Sequence, residues 1–265
     1  MMTTESPRDP RIREVQWRDL TRLSRSEVFL ELALPLPWLA ASLWLAGTRH
    51  FLLALPASFM FFLTGLRLTH NAYHYALGIS RRGCDATMFA LSALMLGSMH
   101  AVQINHLHHH RHCLGEHDVE GASARMSAWK AIAVGPLFPV RLHIHAWKTA
   151  RGASFRWIVP EIAVTVVLIV LAGTAPWAWL RYHVAAMLVG QCLTSFFAVW
   201  TVHHDCDEST PLARTLRGFL KNFATYNMFF HVEHHLFPAV PTCHLPELAE
   251  RLDRVAPEVT RMRVF

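Results

Sequence analysis

The sequence predicts an all-α integral membrane protein: four transmembrane helices in two hairpins, a cytoplasmic helical cap, and one interfacial or re-entrant helix. Three observations carry this expectation. Of the 265 residues, 52% are hydrophobic and only 17% charged, against about 25% charged in soluble domains. Four apolar runs are long enough to cross a bilayer, which takes about 20 residues of helix. The lysines and arginines are almost all kept out of the two short connections between those runs.

Residues 1–27 hold six arginines and no long apolar core, so they read as a cytoplasmic tail rather than a cleavable signal peptide. The candidate spans are residues 29–47, 51–69, 157–180 and 182–202. Only Thr48, Arg49 and His50 separate the first two, which predicts a tight hairpin over 29–69. The last two form a second hairpin over 157–202, turning near 176–181. Pro35, Pro37 and Pro56 lie inside the first pair and predict kinks. Of the 25 Lys and Arg, only Arg49 and Arg181 fall in the hairpin turns. The positive-inside rule then puts both termini, segment 70–156 and segment 203–265 in the cytoplasm.

The apolar stretch 86–104 is long enough to be a fifth span. A single crossing there would place His74 and His106 on opposite membrane faces and invert the second hairpin. Its far end also carries Ser98, His100 and Gln103, so an interfacial or re-entrant course is expected. One domain accounts for the whole chain, and no repeat is evident. The five cysteines make no C-x-x-C pair and read as reduced thiols rather than a disulfide framework. The net charge of +6 is scattered between apolar runs and forms no basic face, which excludes nucleic acid as a partner.

The 19 histidines carry the chemistry. His70 and His74 stand four apart at the end of the second span. His106, His109 and His110 have the spacing H-x-x-H-H, and His231, His234 and His235 repeat it in "HVEHHLFPAVP". Positions i, i+3 and i+4 share one helix face. Chance would give roughly 0.1 H-x-x-H-H matches in a chain of this composition, and there are two. His203 and His204 follow the fourth span, so all four groups fall at one membrane face. Eight phased imidazoles plus one of that pair suffice for two metal ions with positions left open. Imidazole suits iron, copper, zinc and nickel. Asp85, Asp118, Asp205, Asp207 and Glu233 lie near the boxes and are candidates to accept the second ring N–H of a ligating histidine, Glu233 foremost because it lies inside a box. His108 and His112 are out of phase. His50, His143, His145 and His183 read as polar tips at the headgroup level, and His100, His117 and His244 carry no assignment.

These motifs resemble the membrane fatty acid desaturase superfamily over roughly residues 65–250: H-x-x-x-H closing the second span, H-x-x-H-H before an arginine, and H-x-x-H-H-L-F-P further on. The resemblance implies a non-haem di-iron enzyme that uses O₂ and two electrons from a separate carrier on an unactivated C–H bond. It implies as ligands His70, His74, His106, His109, His110, His231, His234 and His235, joined by His203 or His204, with His203 favoured by its place after Val-Trp. The resemblance most favours a fatty acyl desaturase in a cell membrane, of the bacterial inner-membrane kind. No H-P-G-G motif is present, so the two electrons are expected from an external ferredoxin-, rubredoxin- or cytochrome b5-like donor with its reductase. The N-Y-x-E-H-type box of the alkane hydroxylase branch is absent, whereas the compact length and "HHRH" are similar to the carotenoid ketolase branch. Hydroxylation or ketonisation of another apolar substrate therefore stays open.

From other classes, an intramembrane zinc hydrolase and a divalent-metal transporter remain. The first would want a general base and fewer ligands around one metal. The second would bind near the bilayer midplane, whereas these histidines sit at span ends. Arg125, Lys130, Arg141, Lys148, Arg151 and Arg156 are expected to meet either anionic lipid headgroups or an acidic electron carrier.

Overall fold

The structure, a computed structural model, describes residues 10–206, 213–261 and 263–264. Asp207 lies outside the described residues. Among those described, the protein is helical without strands, apart from isolated bridges of Thr215 to Phe230 and Arg263.

Four helical stretches are long and apolar enough to cross a membrane: Arg25–Gly47, Phe51–Tyr73, Phe155–Thr174 and Ala178–His203. The first is two helices, α1 (Arg25–Ala33) and α2 (Leu36–Gly47), broken at Leu34–Pro35 because Pro35 and Pro37 cannot donate to the preceding turn. Ser24 and Glu27 form a capping box at its start, which satisfies the Ser24 and Glu27 N–H groups reciprocally. α3 (Phe51–Tyr73) runs unbroken through Pro56, which leaves the Leu52 carbonyl without its intrahelical donor. Its turn from α2 is Thr48–His50, and the two helices pack along each other.

α4 (Arg81–Met95) and α5 (Met99–His112) meet at an elbow bent by 112°. Leu96 adopts a left-handed backbone there, with φ 58°. α4 is not a surface helix. Cys84, Met88, Leu91 and Met95 join Phe61, Leu68 and Met187 in the main core. Two short helices follow, α6 (Ala128–Ala133) and α7 (Phe138–Thr149). The third span is α8 (Ala153–Thr174) and the fourth begins as α9 (Ala178–Thr194). Their turn is residues 175–177, earlier than the sequence predicts. Ala175 is already extended ahead of Pro176, the conformation favoured before a proline. The fourth span continues through a π-helical segment, Ser195–Trp200, into α10 (Thr201–His203).

The spans hold together by apolar packing and a few buried hydroxyls. Ser58 Oγ lies 2.8 Å from Ser42 Oγ and 2.9 Å from Tyr182 Oη, joining α2, α3 and α9. Their outer faces are apolar and exposed, as at Leu52, Leu53, Val166, Val170 and Val189, which is the exterior a bilayer requires.

The remaining helices are α11 (Phe219–Ala224), α12 (His231–Leu236) and α13 (Leu245–Val255). α13 is strongly amphipathic. Its buried face of Leu245, Leu248, Ala249 and Leu252 is covered by Ile12, Val15 and Leu20. Residues 10–22, expected as a tail, are therefore docked onto α13. The physical reason is that this apolar face needs a partner, and the tail's three aliphatics supply it. His244 fastens the same contact, with Nδ1 2.7 Å from the Leu20 carbonyl and Nε2 2.9 Å from Glu27. Both nitrogens face acceptors, and although burial alone would lower its pKa, these partners outweigh burial and raise it.

Candidate metal centre

Three local rules bring the histidines together. α3 ends at Tyr73, so His70 and His74 project one turn apart from its last turns. On α5, His106, His109 and His110 share one face, and on α12 the spacing i, i+3, i+4 does the same for His231, His234 and His235. His203 comes from the end of the fourth span.

The ring nitrogens converge into two groups, each with all its donor atoms within 4.8 Å of one another. One is His70, His74, His106, His110 and His234, and the other is His109, His203, His231 and His235. In the first, His106 Nε2 lies 3.0 Å from His74 Nε2 and 3.1 Å from His110 Nε2, which is 2.9 Å from His234 Nε2. In the second, His203 Nε2 lies 3.2 Å from His109 Nε2 and 3.0 Å from His231 Nε2. His70 Nε2 and His235 Nε2 are buried with no hydrogen-bond partner.

That arrangement fits cations and little else. Nine imidazoles with converging lone pairs would leave polar atoms unsatisfied in a buried site, whereas a divalent transition metal accepts neutral imidazole nitrogens. The His74, His106, His110, His231, His234 and His235 rings are held neutral, whereas at His109 burial is outweighed by Cys113 and Asp118, which raise its pKa. Burial first, then neighbouring rings, lower the pKa values of His231, His234 and His235 well below the ordinary histidine value.

Carboxylates fix two of the tautomers. His109 Nδ1–H donates to Asp118 Oδ2 at 2.7 Å, and His106 Nδ1–H donates to Glu120 Oε1 at 2.9 Å, leaving both Nε2 atoms aimed into the groups. Burial alone would raise the Asp118 carboxyl, but donors from His109, Gly121 N–H and Leu114 N–H hold it at about 2. Glu120 lacks such backbone donors, and burial pushes it up to about 7.

His204 falls outside both groups. It is the next residue along a helix turning about 100° per residue, so it leaves the site while His203 enters. Its ring stacks on Trp200, with centroids 4.1 Å apart, and its Nδ1–H donates to the Trp200 carbonyl at 2.9 Å. Asp205 reaches no histidine either. Its carboxylate is largely exposed and pairs with Arg214. Glu233 is buried but bonds Thr215 Oγ1 at 2.8 Å and pairs with Arg217. As residue i+2 of the box it faces away from His231, His234 and His235, so it anchors α12 to segment 213–217 instead of orienting a ring. Burial, opposed by Arg217, raises its pKa. Asp85 lies 3.5 Å from His100 Nε2, away from both groups. His108 and His112 pack against each other with tilted rings, centroids 4.6 Å apart.

Two buried networks escape the sequence reading. His100 Nδ1 and Ser98 Oγ each lie 2.6 Å from the Glu161 carboxylate, and His100 stacks on Trp157, pinning the α4–α5 elbow to α8. Glu161 is fully buried. Arg67 pairs with Glu31, and its Nη1 donates to the Tyr226 carbonyl at 2.6 Å. Asn71 Nδ2 donates to Glu31, while its Oδ1 accepts Thr242 N–H and Oγ1–H. An ionisable residue inside a span is a signal in itself, and Glu31, Arg67 and Glu161 each carried it. Glu120 gave none, because nothing in its spacing links it to His106.

No curated protein matches the chain. A family model described as Fatty acid desaturase matches residues 42–265, a stretch that contains all nine converging histidines, and the chain therefore belongs to the fatty acid desaturase family, a family of oxidoreductases.

Proposed function

We propose that the protein is an O₂-dependent di-iron enzyme that desaturates a fatty acyl chain. The observation that carries the proposal is the pair of all-histidine groups, five and four nitrogens. His70, His74, His106, His110 and His234 would hold one iron, and His109, His203, His231 and His235 the other. When bound, the two irons supply O₂ reduction and an oxidant strong enough to take hydrogen from a methylene. The overall reaction balances as one –CH₂–CH₂– unit, one O₂, two electrons and two protons giving one –CH=CH– unit and two waters. The two electrons come from an external ferredoxin-, rubredoxin- or cytochrome b5-like carrier.

The chain's own residues orient and shield. Asp118 and Glu120 keep the His109 and His106 protons on Nδ1, so that Nε2 is the donor in each. The burial of His106, His109, His203, His231 and His234 limits water at the site. The positive-inside pattern supports two hairpins with the termini and the histidine side in the cytoplasm, and the bent α4–α5 pair supports a re-entrant course in place of a fifth crossing.

Metal content and Mössbauer spectra of detergent-purified protein from iron-replete, zinc-poor cells test the reading. About two irons per chain with the spectrum of a coupled non-haem pair are expected. One zinc and no iron would transfer the site to hydrolytic chemistry. Mass spectrometry of acyl lipids then distinguishes the reaction, with loss of two hydrogens expected and gain of one oxygen pointing to hydroxylation.

Asp118→Asn is expected to lower iron affinity by about 10- to 100-fold, read as faster loss of iron to a chelator. The Leu114 and Gly121 N–H groups demand acceptors, so an amide NH₂ group would face His109 or one of them. Facing His109, it forces the ring into the wrong tautomer.

A further inference from the structure

The apolar exterior does not stop at the four spans. Leu137, Val140, Ile144 and Trp147 are all about half exposed. They follow one another at three- and four-residue steps, so they make one continuous stripe along the outer side of α7. Trp129, 81% exposed, and Ile132 extend it onto α6. The opposite side of α7, Phe138, Leu142 and Ala146, is buried against the protein. A second patch stands on α11, where Phe219, Leu220 and Phe223 are 72–80% exposed. Soluble surfaces rarely present such large contiguous apolar side chains without something that covers them.

Both patches lie at the same level of the bundle. α6 and α7 are fastened beside the second half of the fourth span, from Cys192 to Trp200. Gly135 packs so closely on the Cys192 backbone that a Cβ there would lie 2.0 Å from the Cys192 carbonyl oxygen. Trp200 Nε1–H donates to the Met126 carbonyl, and Ser98 N–H donates to His143 Nε2. The stripe therefore continues the exposed lipid-side residues Leu188, Val189 and Phe197 of that span. α11 is held beside the first two spans through Tyr226, which receives Trp38 Nε1–H on its hydroxyl and Arg67 on its carbonyl. Arg67 is one turn before His70. Both patches thus sit at the span ends that carry the histidines.

Charge identifies what covers them. Residues 121–160 contain Arg125, Lys130, Arg141, Lys148, Arg151 and Arg156 and no aspartate or glutamate at all. Lys130, Arg141, Lys148 and Arg151 are exposed beside the stripe, and Lys221 is exposed on α11. Large apolar side chains flanked by cations only are the composition of a helix lying in an anionic headgroup layer. An acidic protein carrier would account for the cations but leave the leucine, isoleucine and tryptophan stripe uncovered.

We propose that α6–α7 and α11 lie in the membrane surface on the histidine side. The α7 stripe and the α11 phenylalanines would be immersed at the acyl boundary, with Lys130, Arg141, Lys148, Arg151 and Lys221 on anionic lipid phosphates. The interfacial helix of this protein is then α7, whereas the apolar stretch 86–104 is spent on the core. The proposal is independent of which metal the histidines hold.

Power-saturation spectroscopy on the full-length protein in nanodiscs tests it. Spin labels at I144C and F223C, with the native cysteines replaced, are compared with labels at K148C and K221C. Discs are made of phosphatidylcholine alone or mixed with phosphatidylglycerol. The O₂-to-nickel-chelate accessibility ratio is expected to be several-fold higher at 144 and 223 than at 148 and 221, and to rise at 144 when phosphatidylglycerol is added. Equal, water-like ratios at all four positions would overturn the proposal. So would a label at 144 that is water-exposed in the disc and becomes protected only on addition of an acidic ferredoxin, which would reassign the face to carrier docking. Quenching by brominated phosphatidylcholine needs no cysteine replacement. The quenched share of tryptophan fluorescence is expected to fall in W129F/W147F, and an unchanged share would also refute the immersion.

Discussion

His203→Ala is expected to reduce product formation by more than about 100-fold, beyond the range seen for residues that merely support a ligand, and to lower the iron content from two per chain towards one. His204→Ala, one residue away, is expected to retain both. The contrast follows from geometry. The second histidine group has only four members, so losing His203 leaves three, while the five-membered group is untouched. His204 donates its ring proton to the Trp200 carbonyl and stacks on the Trp200 ring. Its removal costs a surface contact of about 1 kcal/mol. Iron analysis and product yield on the two purified variants check this directly. Equal loss in both, or loss in His204→Ala alone, would contradict the assignment.

The largest effect on stability is expected at Arg67. Arg67→Met leaves the Glu31 carboxylate buried between α1 and α3 with no cation opposite it, hydrogen-bonded only by the neutral Asn71 and Cys243 side chains among the described residues. Breaking one side of a buried pair typically costs about 3–5 kcal/mol. For a chain of this size that lowers Tm by on the order of 10 °C. The variant also releases the Tyr226 carbonyl and loosens Asn71, which ties Thr242 to α3 between His70 and His74. Iron retention is therefore expected to weaken together with Tm. The double variant Glu31→Leu/Arg67→Met removes both charges and is expected to recover most of the lost stability. Thermal unfolding in detergent decides the matter, and a double variant no more stable than Arg67→Met would show that the pair's value is not the uncompensated charge.

Much of this protein is legible in its sequence because the membrane imposes a coarse grammar. Apolar length gives the four spans within a few residues, and helical spacing gives the histidine faces. It fails where a segment's partner is not local. Residues 86–104 and α7 are both apolar enough to lie in an interface. Only the packing of Met88, Leu91 and Met95 into the core reveals that the first is covered and the second is not. Glu233 stands out in sequence because it lies inside its box, yet helical rotation turns it away. Glu120 was missed because a loop, with no period to read, carries it back onto His106. The docking of residues 10–22 onto α13 was likewise hidden, since their three aliphatics are too sparse to mark a helix face.

The way the two histidine groups are shared out along the chain bears on how the protein is made. α12 contributes one of five members to the first group and two of four to the second, and it is synthesised after all four spans. Until then the second group consists of His109 and His203 alone. Completion of the second group is thus deferred until translation has passed residue 235, whereas four of the first group's five members are already in place. A chain threaded with one hairpin inverted would carry His231, His234 and His235 to the opposite side of the bilayer from His106 and His109. Such a chain would keep four of the first group's five members but could not complete the second, so its expected metal content is below that of a correctly inserted chain.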